Sequence, residues 1–128
     1  PLHIPLQIVE GLGAILSVDA KDPSSIAVAD FERSLSRLPP GERVAEVKKI
    51  ASDVAAANGW VRDGKLTRLN DRDVYRGTDG HLYALDTQHG RFEKVNARNG
   101  AHLGEVRMDL SPVKASKDRS GKHDLRVK

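Results

Sequence analysis

The chain has 128 residues, room for one modest core, and its composition of 38% hydrophobic and 30% charged residues excludes disorder throughout. There is no cysteine, which excludes disulfides, thiolate metal sites and cysteine nucleophiles. The net charge of +3 is uneven: residues 1–59 carry six Lys/Arg against eight Asp/Glu, a net of −2, and residues 60–128 fifteen against ten, a net of +5.

The first apolar stretch, "IPLQIVEGLGAILSV", contains Gln7 and Glu10 and falls short of the roughly 20 residues that span a bilayer, so no stable membrane insertion is expected. Leu6 to Ser17 reads as a helix weakened by Gly11 and Gly13. A start at Pro1, without an initiator Met or a basic leader, is expected of a piece of a longer polypeptide. After "DPSS", Asp22 is placed to cap a helix and Pro23 to take its first position, and Val28, Phe31, Leu35 and Leu38 recur at helical spacing until Pro39 and Pro40. A second helix from near Gly41 puts Val44, Val47, Ile50, Ala51 and Val54 on one face, with Asn58 and Gly59 as its stop.

From Trp60 the punctuation changes. Turn signals recur as "RDG", "GTDG", "QHG" and "RNG", and strand-length runs lie between them at Asp73 to Arg76, His81 to Leu85, Arg91 to Ala97 and Ala101 to Met108. Short connections imply hairpins, hence an antiparallel meander. After Asp109 an irregular tail carries Lys114, Lys117, Arg119, Lys122, Arg126 and Lys128 against Asp118 and Asp124, a balance that suits a polyanion, an acidic partner or a solvated terminus. The expected fold is α+β: a helical prefix, 1–59, and a small antiparallel β domain, 60–128.

The stretch "YALDTQHGRFEKV" holds the residues that carry chemistry. Cleavage of RNA by its own 2′-hydroxyl needs a proton acceptor, a proton donor and a cation for the charge on phosphorus, without metal or cofactor. The stretch offers Glu93 and His89 as candidates for the proton-transfer pair and Asp86 as a candidate orienting carboxylate for the imidazole, and the tail offers Arg119 as a candidate cation. Extended chain would put roughly 13 Å between positions 89 and 93, so the turn must curl His89 back over the sheet, which a glycine at position 90 allows. The residues alone also admit blander readings. A histidine in a hairpin turn is commonly a surface residue, Glu93 suits the solvent side of a strand, and Asp86 suits acceptance of backbone N–H bonds. No familiar metal-ligand spacing is present, and no cofactor is expected.

Tyr83, Asp86-Thr87-Gln88-His89-Gly90, Glu93, and Gly100 followed by His102-Leu103-Gly104 together resemble the catalytic region of the cloacin-type ribosomal ribonucleases, the nuclease domains of certain E-group colicins. The resemblance runs from about Tyr75 to Glu105, with a looser basic tail. It implies a highly twisted antiparallel sheet that cuts small-subunit (16S) ribosomal RNA in the decoding centre without metal. Asp86, His89 and Glu93 match the family's catalytic acid, histidine and glutamate, with Glu93 as base and His89 as acid, or the reverse. The family's C-terminal arginine matches Arg119, with Arg126 second. The resemblance and the basic half together make Tyr83, Arg91, Lys114, Lys117, Lys122 and Arg126 candidate RNA contacts. Arg91 stands where the family has an acid and Val95 where it has an aromatic, and His102 is shared without a derived role. The implied setting is a larger bacteriocin or contact-delivered toxin that acts in the target-cell cytoplasm, neutralised by an acidic immunity protein. An RNase directed at transfer or free RNA and a non-enzymatic RNA-binding module are the alternatives.

Overall fold

Proline placement organises the helical half. The computed structural model describes residues 23–128; the helix expected at Leu6 to Ser17 and the capping role of Asp22 lie outside them. Helix α1 spans Pro23–Leu35 and α2 spans Pro40–Ala57. Pro40 opens α2 one residue before the expected Gly41, at a position where its missing N–H and fixed φ are harmless. The stop falls as expected: the Asn58 side-chain amide donates to the Val54 carbonyl at 2.8 Å, and Gly59 follows at φ +71°. Val28, Phe31, Leu35, Val47, Ile50, Ala51 and Val54 are buried as their spacing predicts, while Leu38 and Val44 are half-buried. Among the described residues no helix is long and apolar enough to cross a membrane.

The β half is a twisted five-stranded antiparallel sheet in the order β1-β2-β3-β4-β5. Its strands are β1 (Val61–Arg62), β2 (Val74–Arg76), β3 (Leu82–Asp86), β4 (Arg91–Val95) and β5 (His102–Val106). The last four occupy the expected runs. Strand β1 and helix α3 (Gly64–Asn70), inserted between β1 and β2, exceed the sequence expectation. The "RDG" signal is a helix start: the Asp63 carboxylate accepts the Leu66 N–H at 2.9 Å as an N-cap.

Alternation gives the sheet two apolar faces. Tyr75, Tyr83, Leu85, Phe92 and Val106 join α1, α2 and Trp60 in one buried cluster, so the 59/60 boundary is no break in packing. Trp60 stacks on Tyr83 at 4.0 Å between ring centres and meets Phe92 edge-on at 5.1 Å. The other face, Val74, Leu82, Ala84 and Val95, packs against Leu66 of α3 and Leu125 of the tail. The tail is irregular, as expected, but pinned: Leu125 N–H donates to the Gly100 carbonyl, and Asn70 exchanges two hydrogen bonds with the Arg126 backbone.

Candidate active site

The β3–β4 hairpin pairs Asp86 with Arg91 and leaves residues 87–90 as its loop. Asp86 Oδ1 accepts the backbone N–H groups of Gln88 and His89 at 2.9 and 3.1 Å, which closes the turn. Gly90 leaves it at φ +69° with its N–H on the Asp86 carbonyl. The turn therefore bends His89 back until its Nδ1 lies 2.8 Å from Asp86 Oδ2. Because a carboxylate oxygen can only accept, Nδ1 carries the proton, and Nε2 is the ring position available for transfer.

A regular register carries the next two acids to the same place. Glu93 is opposite Ala84 on β3 and Glu105 on β5. A bulge at Lys94/Val95 then puts His102 opposite Val95. There His102 Nε2 lies 3.0 Å from Glu93 Oε2, and the backbone N–H of Asp118 donates to Nδ1 at 2.8 Å. That N–H requires an unprotonated Nδ1, so the neutral ring carries its proton on Nε2 and gives it to the carboxylate. His102 is thus a buried donor that fixes Glu93, whose Oε1 has no protein partner among the described residues.

Asp86, His89, Arg91 and Glu93 line one cleft of about 530 Å³, together with Arg72, Glu105 and His123. Arg72 is held by the Leu85 carbonyl through Nε at 3.1 Å and Nη2 at 2.8 Å and has no carboxylate partner among the described residues. His123 enters from the tail, with Nδ1 2.6 Å from Asp118 Oδ2. This hydrogen bond holds the His123 imidazole above its ordinary pKa against partial desolvation, and the charges of Glu93 and Glu105 add to it. Hydrogen bonds from Ser120, and then from His123, hold the Asp118 carboxyl well below the usual carboxylate range. The side chains of His89 and His123 are 58% and 52% exposed, so both are open to a ligand, whereas Glu93 and His102 are almost enclosed at 4% and 1%.

Arg91 is heavily engaged. It makes a two-pronged contact with Glu32 of α1 at 3.0 and 2.9 Å and reaches Glu105 at 3.3 Å, and the Glu32 bond raises its pKa above the ordinary range. Oxygens of Asp86, Glu93 and Glu105 lie within 4.8 Å of one another. Three such carboxylates offer the hard ligands a divalent cation takes. Each already answers to a protein donor, His89, His102 and Arg91 respectively. A cation would have to compete with those donors.

Other expected site residues lie elsewhere. Tyr83 is buried on the helix-facing side of the sheet, where its hydroxyl donates to Asp79 at 2.5 Å; burial, then this bond, raises its pKa beyond the ordinary range. Arg119, Lys114, Lys122 and Arg126 are exposed and do not line the cleft, and Lys117 borders a separate cavity beside Gly104 and Ser116. Arg72, Glu105 and His123 escape the sequence reading because no local motif marks them; tertiary pairing alone brings them in. His102 carried a signal, its place in the resembling string, but not a role. No family model, curated protein or solved structure matches the chain.

Proposed function

We propose that this chain is a metal-independent endoribonuclease, a toxin domain that cuts small-subunit ribosomal RNA and so stops translation. The observation that carries the reading is one cleft lined by His89, Asp86 and Glu93, with His89 hydrogen-bonded to Asp86 and Glu93 held by the buried His102. Glu93, held as an acceptor by the His102 Nε2–H, takes the proton of the 2′-hydroxyl. The 2′-oxygen forms its bond to phosphorus as the bond to the 5′-oxygen breaks, and protonated His89 gives its Nε2 proton to that leaving oxygen. The products are a 2′,3′-cyclic phosphate and a 5′-hydroxyl, and solvent resets both side chains. Arg72 and protonated His123 meet the charge that develops on the phosphoryl oxygens, the role the sequence reading assigned to Arg119.

The ribosomal target, the delivery from a larger toxin into a target-cell cytoplasm, and an acidic immunity protein rest on the resemblance of residues 75–105 to the cloacin-type nucleases. The test incubates the full chain and its His89→Ala variant with intact ribosomes in EDTA. A single short 3′ fragment of small-subunit RNA from the wild type alone is expected. Degradation of transfer RNA in its place would keep the chemistry and move the target, and no cleavage of any RNA, with or without added Mg²⁺, would sink the nuclease reading.

A further inference from the structure

A second cavity, of about 510 Å³, adjoins the first and shares Gln88, His89 and Arg91 with it. Its remaining wall comes largely from the helical segment: Glu32 and Arg33 from α1, Arg43 from α2, and Arg107 after β5. The charges of the two clefts differ. The first sets Asp86, Glu93 and Glu105 against Arg72 and Arg91, so before its histidines are protonated it has no surplus charge with which to hold a polyanion. The second is lined by Arg33, Arg43, Arg91 and Arg107 with Glu32; Arg33 is paired with Asp30 and Arg91 with Glu32 and Glu105, so its surplus charge rests on Arg43 and Arg107. Arg43 is the informative member. Its Nε is buried with no hydrogen-bond partner, and it makes no ion pair among the described residues. The shielded Nε cannot reach a ligand, so an external oxyanion would be met by the two Nη groups, which have no partner among the described residues and whose planar fork matches phosphate.

We propose that this arginine-lined cleft is a phosphate subsite for the RNA strand that flanks the cleaved bond, walled by the helical segment and joined to the candidate active site at His89. The inference rests on the nuclease reading for its ligand and adds the direction in which the strand leaves: over the Gln88–Arg91 turn and onto Arg43. Helices α1 and α2 are then part of substrate binding. The subsite adds phosphate contacts along the strand to those that Arg72 and His123 make at the reacting phosphate.

The test uses the full chain and a 2′-O-methyl oligoribonucleotide, which binds without being cut, with fluorescence anisotropy read across a salt series. Arg43→Gln is expected to weaken binding about tenfold and to lower the slope of log K against log salt by about 0.7, the contribution of one phosphate contact on a single strand. Arg43→Lys should restore most of the slope. Lys48→Gln, which removes an exposed charge on the same helix, is the control and should change neither. On RNA that the wild type cuts, Arg43→Gln should raise KM and leave kcat unchanged. An unchanged slope for Arg43→Gln, with the loss appearing instead when Lys114, Lys117 and Lys122 are neutralised, overturns the subsite. So does an oligoglutamate of equal charge that competes as well as the RNA, which would mark the cleft as a surface for an acidic protein. Binding that depends on Arg43 with no RNA cut by any preparation supports the subsite and removes the nuclease reading, so the two failures are distinct.

Discussion

In Asp86 the turn and the proposed chemistry draw on different oxygens: Oδ1 closes the loop through two backbone N–H groups, while Oδ2 holds the His89 ring. Substitutions therefore separate the two roles. Asp86→Asn retains an oxygen for the turn and presents an amide to His89; it is expected to melt near the wild-type temperature and to lose roughly 10²- to 10⁴-fold in kcat, the usual scale of proton-transfer catalysis. Asp86→Ala should lose both activity and several degrees of melting temperature, and a fully active Asp86→Asn would dismiss the ring-holding role. The sequence offered structure and chemistry as rival readings of Asp86, and the geometry accommodates both. It could not reveal His123, which reaches the cleft only because the tail crosses the sheet. The pH behaviour of that residue has a definite sign. A histidine whose pKa is raised on folding adds stability that is complete below its ordinary value of about 6.5 and is lost as pH rises through the raised value. Asp118, whose pKa is lowered, adds stability above the ordinary carboxylate range that is lost only as pH falls through its lowered value. The pair contributes most between these limits. A histidine-resolved NMR titration should find His123 titrating above its ordinary range and returning towards it in Asp118→Asn; an identical midpoint in that variant would show that Asp118 does not control the ring.

At the level of elements, the hairpin that carries His89 leans on helix α1. A Cβ built on Gly90 would lie 2.6 Å from Leu35 Cδ1 and 3.0 Å from Phe31 Cε2, and the residue's φ is +69°. Gly90→Ala thus faces both a left-handed backbone and a filled contact. The first costs about 1–2 kcal/mol, and relief of the second must shift either α1 or the turn. A destabilisation of roughly 2–3 kcal/mol by urea unfolding is expected, with loss of activity from displacement of His89. Leu35→Ala in the same chain should recover the contact part and not the backbone part, so the two substitutions should be non-additive. Additive effects would mean that the turn and the helix do not press on each other. Sequence spacing located both helices and four strands because their apolar positions repeat over enough residues to set a period. It missed α3, where seven residues supply only Leu66 and Leu69 and where "DG" imitates a turn. It missed β1 because two residues, Val61 and Arg62, set no period.

For the molecule as a whole, the question is whether the helical and β segments unfold together. The sequence changes composition and punctuation near residue 60, and charge changes sign there, so a linear reading divides the chain at that point. Packing joins what composition separates: α1 and α2 bury their faces on Tyr75, Tyr83, Leu85, Phe92 and Val106, and Glu32 holds Arg91 across the same interface. Removing residues 1–59 would expose that whole face, together with the stacked Trp60, and apolar surface of that extent is the main favourable term in folding. The fragment 60–128 is accordingly expected to lack a cooperative transition and sharp side-chain resonances, even though it contains Asp86, His89, Glu93 and His123. The full chain provides the direct test. Its single tryptophan sits between the segments, so Trp60 fluorescence reports the interface while far-UV circular dichroism at 222 nm is dominated by α1 and α2. Coincident urea midpoints from the two probes are expected of one cooperative unit. If ellipticity were lost at one denaturant concentration and cleavage activity survived to a higher one, the β segment would stand alone. The helices would then be dispensable for proton transfer, and only their part in holding the RNA strand would remain to explain why Arg33 and Arg43 border His89.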